Sequence, residues 1–322
     1  MRQDNPILFH LGLPKTATTA LQQHVFPLMQ DVVYLGPKGS RIDDPRLKQA
    51  ANLLVSTIKF RPREIVTASR LPAALLDAAD AVLQLGRPVL FSEETLATSA
   101  TQLDYDRIPL VPLALARLFG DRLGAAIVLR EPLAFIASLL LQKMWSRPHS
   151  SQATKTGGGW PGPRDILDLH LAAADRQDPR FIFTSACRYD RIIEAYRKAL
   201  GPGLALFAYE PLFDERRLYR HAFSDLLGTA PADGEIGHEN PSSEDKRLEM
   251  ASRYLGRQAD PQQILQFAAA WADLPDIVTQ DSRLVAYAER HCMTPYAEAL
   301  RATEALASRR PRADLGRRRA IG

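Results

Sequence analysis

The chain has 322 residues, 46% hydrophobic and 24% charged, with a formal net charge of +4. That apolar content and small charge exclude disorder of the whole chain, and the length allows one large domain or two small ones around a sizeable core. No stretch approaches the ~18 uninterrupted apolar residues of a membrane-spanning helix. The first apolar run follows Asp4 and Pro6, is short and enters a polar loop, so it does not read as a signal peptide.

The charge is unevenly placed. Arg309 to Gly322 holds six arginines and one acid, Asp314, which leaves 35 basic against 36 acidic residues in the rest. The basic pI of about 9.1 therefore belongs to the tail. The domain reads as 1–308 and the basic tail as 309–322. Such a tail is ordinarily a solvated terminus, and its functional alternative is weak contact with an anionic membrane surface. No nucleic-acid partner is expected. Cys187 and Cys292 have neither zinc nor disulfide-framework spacing, and the seven histidines include no HExxH pattern. This usage fits a reducing cytoplasm, and no metal is expected.

In chain order, Ile7 to Leu11 reads as a buried strand broken by Gly12-Leu13-Pro14, and a helix follows from about Thr18. A helix is predicted over Pro72 to Leu85, ended by Gly86, and a second strand over Pro88 to Ser92. Pro109 to Phe119 reads as a helix stopped by Gly120, Leu123 to Leu129 as a third strand, and Leu133 to Trp145 as a helix. Arg147 to Arg164, rich in Gly, Pro and Ser, reads as a long loop carrying Trp160. Tyr189 to Leu200 is an amphipathic helix, Leu204 to Tyr209 a fourth strand, and Ala230 to Ser243 a polar loop. Helices are expected from Glu244 onward. Short apolar strands alternating with helices predict an α/β fold, a central parallel sheet flanked by helices with a helical C-terminal part.

Two segments carry chemistry. Leu11-Gly12-Leu13-Pro14-Lys15-Thr16-Ala17-Thr18-Thr19 joins strand to helix through a loop with a lysine and three threonines. Unpaired N–H groups at a helix start, hydroxyls and an ammonium suit a phosphate, as in a P-loop-like nucleotide fold. It is not a Walker A motif, since Pro14 stands directly before Lys15 where that motif has Gly. Arg130 falls at the carboxyl end of a predicted strand, the edge where open α/β sheets bind ligands, and its planar fork matches phosphate. Ser138 follows eight residues on as a further donor.

Together these resemble the sulfotransferase superfamily that uses 3′-phosphoadenosine 5′-phosphosulfate (PAPS), in its bacterial, carbohydrate- or lipid-acting form. That family binds the 5′-phosphosulfate with a PKTGTT loop, here Pro14-Lys15-Thr16-Ala17-Thr18-Thr19. It binds the 3′-phosphate with an Arg, a Pro and a Ser spaced like Arg130, Pro132 and Ser138. Ala17 replaces the usual Gly and is tolerable if its φ is negative. Phe91-Ser92-Glu93-Glu94 resembles the strand end carrying the catalytic base, and Tyr209-Glu210 with Leu212 a late YE-x-L strand end. Asn240 and Ser242 resemble a late loop over the nucleotide.

The resemblance implies a PAPS-dependent sulfotransferase over roughly residues 5–260, with no metal. Its acceptor would be a hydroxyl on a carbohydrate, glycolipid or lipid-like molecule. Lys15 would neutralise the bridging oxygen of PAPS. Lys15, Thr16, Ala17, Thr18, Thr19, Arg130, Ser138 and Asn240 would hold the cofactor. The base would be Glu93 or Glu94. Strand alternation favours Glu94 if the strand continues past Phe91, and His10 is the fallback, with a structural role as its plainer reading. The competing readings are a nucleotide-dependent small-molecule kinase and a non-catalytic nucleotide-binding relative.

Overall fold

The computed structural model describes residues 5–36, 43–94, 96–97, 108–144, 162–175, 186–214, 217–231, 236, 248–249, 251–252 and 260–309. In chain order the elements begin with β1 (Ile7–Gly12), α1 (Thr18–His24), β2 (Val33–Leu35), α2 (Pro45–Phe60), α3 (Pro62–Thr67) and α4 (Ala73–Leu83). Next come β3 (Val89–Ser92), α5 (Leu110–Phe119), β4 (Leu123–Leu129), α6 (Pro132–Met144) and α7 (Pro163–Asp175). The remainder is α8 (Tyr189–Leu200), β5 (Leu204–Ala208), α9 (Tyr209–Leu212), α10 (Tyr219–Leu227), α11 (Pro261–Ala270), α12 (Leu274–Gln280), α13 (Ser282–His291) and α14 (Met293–Ser308).

The chain is an α/β protein. Its five described strands form one parallel sheet in the order β2-β3-β1-β4-β5. All six residues of β1 are buried, as a strand covered on both faces requires. Alternation splits the core. On one face Phe9 stacks on Phe91 at 4.5 Å, and both rings meet Phe119 of α5. On the other, Leu8, Leu90, Ala126 and Val128 pack with Leu21 of α1 and Phe223 of α10.

Two arginines tie helix ends to this scaffold. Arg117 donates to the carbonyls of Ile65, Val66 and Ala68 at the end of α3. Arg122 reaches the carbonyls of Asn5 and Leu83 at the end of α4. Gly86 and Gly120 sit at φ 60 and φ 55, the left-handed region where glycine ends helices without strain.

Two compact units are present. The first comprises Met1–Glu131, Arg188–Ile236 and Thr294–Gly322, and holds the whole sheet. The second comprises Pro132–Cys187 and Gly237–Met293. Its described part is helical: α12 packs on α6, Arg283 pairs with Asp168 at 2.8 Å, and the Cys292 thiol donates to the Cys187 carbonyl at 2.9 Å. Burial pushes the Cys187 thiol up, with Cys292 adding to the effect.

The sequence expectations miss several elements. β2 has only three residues. α2 carries legible signals: Asp44 caps the N–H groups of Arg46 and Leu47, Pro45 follows, and Leu47, Ala51, Leu54 and Ile58 form its buried stripe. α7 starts at Pro163, inside the stretch read as loop, where Asp165 accepts from the Gly162 N–H at 2.8 Å. β5 ends one residue early, because Tyr209 opens a short helix. Trp145, Trp160, Asn240 and the tail beyond Arg309 lie outside the described residues. Among the described residues no helix is long and apolar enough to cross a membrane.

Candidate active site

Strand order dictates where a ligand belongs. From β1 the chain runs outward to β2, returns to β3, then passes over β1 to β4 and β5. The order reverses between β1 and β4, and the crevice outside their carboxyl ends is the ligand position of such sheets. The three neighbouring strands β3, β1 and β4 bring Glu93, the Gly12–Thr18 loop and Arg130 to that one edge.

The loop after β1 is tightly wound. Lys15 has φ 65 and Ala17 φ 56, while Thr16 between them has no positive φ. Alternating signs of φ turn successive N–H groups toward one side, the nest geometry that receives anions. The condition for Ala17 to replace glycine without strain, a negative φ, is therefore not met. The residue is the left-handed N-cap of α1, and it has no side-chain cap bond. A Cβ there costs roughly 1–2 kcal/mol, which is the physical reason for glycine at such a position.

α1 has seven residues, so its dipole is short and the loop's own N–H groups carry more of any anion binding. The threonines diverge. Thr16 is fully buried and donates to the Leu13 carbonyl at 2.7 Å, which shapes the loop and leaves only its backbone for a ligand. Thr18 is buried against Gly12, and its hydroxyl lacks a hydrogen-bond partner among the described residues. Thr19 is exposed.

Arg130 stands just beyond β4 and reaches over to this loop. Its Nη1 lies 3.4 Å from the Lys15 carbonyl, and its guanidinium sits 5.2 Å from the centre of the Tyr209 ring. Its Nε is buried with no hydrogen-bond partner among the described residues. Such an orphaned donor is expensive unless a ligand fills the gap.

On the other side of β1, strand β3 stops at Ser92, so alternation does not extend to the two glutamates. The Glu93 N–H donates to the His10 carbonyl at 3.1 Å, and the Glu93 carboxylate pairs with Lys59 of α2 at 3.1 Å. Its charge and burial together push the Tyr34 hydroxyl up, burial being the larger cause. Glu94 is partly exposed.

His10 is enclosed completely. Its Nδ1 lies 2.8 Å from Ser92 Oγ, and its ring meets the Phe26 and Phe223 rings edge-on. Gln22 of α1 donates to the same Ser92 Oγ at 3.1 Å. Burial lowers the His10 pKa to about 3, so it is neutral at working pH. Enclosure and hydrogen bonding suit a strut between β1, β3 and α1 rather than a base.

Ser138 lies partly exposed on α6 in the second unit, and Asn240 is outside the described residues. Sequence reasoning missed Lys59, which sits on a helix it did not assign. It quoted Tyr209 without giving it a role against Arg130. Among the described residues no group of three or more His, Cys, Asp or Glu is arranged to share a metal ion.

No family model matches this chain, and no curated protein matches it. Among solved structures, a sulfotransferase from Alicyclobacillus acidocaldarius matches with 16% identity, covering 88% of this chain and 98% of that chain. The TM-score is 0.43, a likeness too loose to carry an argument about chemistry.

Proposed function

We propose that this protein is a sulfotransferase that moves a sulfuryl group from PAPS to a hydroxyl of a carbohydrate, glycolipid or lipid-like acceptor. One observation carries the reading. A lysine-bearing nest after β1 and an arginine with an orphaned buried donor after β4 meet at the reversal point of a parallel sheet, 3.4 Å apart at Lys15 O and Arg130 Nη1.

The chemistry needs these groups. Sulfuryl transfer passes through a loose transition state like that of phosphoryl transfer, with negative charge gathering on the oxygen between phosphorus and sulfur. In this reading Lys15 neutralises that oxygen, and the loop N–H groups hold the 5′-phosphate. Arg130 takes the 3′-phosphate through its fork. The acceptor proton passes to a carboxylate after β3, Glu93 or Glu94, as the new O–S bond forms.

Calorimetry with adenosine 3′,5′-bisphosphate, with ATP as control, tests the nucleotide. A screen of hydroxyl acceptors with labelled PAPS tests the transfer. Binding of the bisphosphate but not ATP, with label moving to an acceptor, is the expected result. Magnesium-dependent ATP turnover would overturn the reading in favour of a kinase, and nucleotide binding without transfer to any acceptor would favour a non-catalytic relative.

A further inference from the structure

The first unit uses its arginines in two ways. Arg117 and Arg122 spend their guanidinium donors on backbone carbonyls, Arg117 at the end of α3 and Arg122 at Asn5 and the end of α4. Arg130 does not. Among the described residues its donor contact is long, 3.4 Å to Lys15 O, and its buried Nε is unpaired. Yet the residue is firmly placed by its neighbours.

The neighbours come from α9, which follows β5 directly, and from the start of α8. Tyr209, the first residue past that strand, lays its ring 5.2 Å from the guanidinium carbon. Glu210 turns back to the same place: its Oε1 accepts from the Glu131 N–H at 3.0 Å, and its Oε2 accepts from the Tyr296 hydroxyl at 2.8 Å. Tyr189 donates to the Arg130 carbonyl at 3.1 Å. The guanidinium is thus backed by an aromatic face while the peptide that follows it is pinned at both its C=O and its N–H. A ring face attracts a cation without using its N–H donors, so the fork stays available.

We propose that Tyr209 and Glu210 are positioning residues that hold the Arg130 fork ready for an anion, with Tyr296 of the C-terminal helix α14 fixing Glu210. This rests on the reading of Arg130 as the 3′-phosphate ligand. The pair acts through Arg130 and touches no reacting atom.

The test is the affinity for adenosine 3′,5′-bisphosphate against adenosine 5′-monophosphate, in wild type, Arg130→Ala, Tyr209→Leu, Tyr209→Phe and the Arg130→Ala/Tyr209→Leu double variant. Arg130→Ala is expected to weaken the bisphosphate selectively. Tyr209→Leu should weaken it about 3- to 10-fold with the monophosphate unchanged, and Tyr209→Phe should restore it. Tyr209→Leu should add nothing once Arg130 is gone. Equal losses for both ligands, or additive losses in the double variant, overturn the proposal. If Arg130→Ala discriminates between the ligands and Tyr209→Leu does not, the positioning role alone falls. If Arg130→Ala does not discriminate, the 3′-phosphate reading falls and takes this role with it. Should Tyr209→Leu fail to fold, Glu210→Gln must show the same selective loss, about 2- to 5-fold, and an unchanged ratio there overturns the proposal.

Discussion

A Cβ atom placed on Gly12 would lie 2.0 Å from Thr18 Oγ1 and 2.7 Å from its Cγ2. The end of β1 and the start of α1 therefore approach more closely than any other residue at position 12 permits. Thr18 is β-branched, so its short side chain has little freedom to swing aside. Gly12→Ala is expected to force the loop open, at roughly 1–3 kcal/mol of stability, and to abolish nucleotide binding. Thermal unfolding and calorimetry check both effects. Wild-type affinity in this variant would mean that the Gly12–Thr18 contact does not shape the binding loop.

Ala17 offers the opposite experiment. At φ 56 its Cβ strains the backbone. Ala17→Gly relieves a cost of about 1–2 kcal/mol in the folded state. It also adds unfolded-chain entropy, worth about 0.4–1 kcal/mol the other way. The net expectation is a gain of up to about 1.6 kcal/mol, read as a higher denaturation midpoint at unchanged m-value. A lower midpoint would place Ala17 outside the left-handed region in solution.

His10 makes stability depend on acid. Its pKa is about 3 when folded, against 6.5 as the ordinary value, because burial opposes the imidazolium. Below pH 6.5 the unfolded chain takes up a proton that the folded chain refuses. The His10 contribution is therefore complete above pH 6.5 and is lost progressively as pH falls toward 3. The slope is at most about 1.4 kcal/mol per pH unit. Replacing His10 with Gln, which does not titrate, should flatten the denaturant-derived stability between pH 6.5 and 4. An unchanged slope would show that other groups cause the acid sensitivity.

The sheet was readable because buried parallel strands are continuous apolar runs, and β1, β3 and β4 fall within a residue or two of their predicted places. That Lys15 and Arg130 come together was readable because strand ends in such a fold share one edge. What failed did so for local reasons. The left-handed φ of Ala17 is a backbone feature that an alanine in the sequence does not announce. Alternation gives no choice between Glu93 and Glu94, because β3 ends at Ser92 before reaching them. Lys59 lies 34 residues before Glu93, on a helix that only the Asp44-Pro45 cap could have revealed.

The glutamates supply the last test. Glu93 is held by Lys59 at 3.1 Å, with its side chain 15% exposed, while Glu94 is the partly exposed neighbour. A carboxylate that takes a proton must meet the acceptor hydroxyl, and of the two Glu93 is the one already paired with Lys59 in the scaffold. Glu94→Gln keeps size and hydrogen bonding, so it should lower kcat by about 10²–10⁴-fold while nucleotide affinity stays put. Glu93→Gln should act mainly on stability, since it removes the partner of a half-buried ammonium, and Lys59→Met should reproduce that effect. Lys15→Ala provides the reference for loss of chemistry, expected at about 100-fold or more in kcat with the fold intact. Rates and unfolding midpoints of the four variants decide the assignment. A large kcat loss in Glu93→Gln, without one in Glu94→Gln, would make the Lys59-paired carboxylate the proton acceptor.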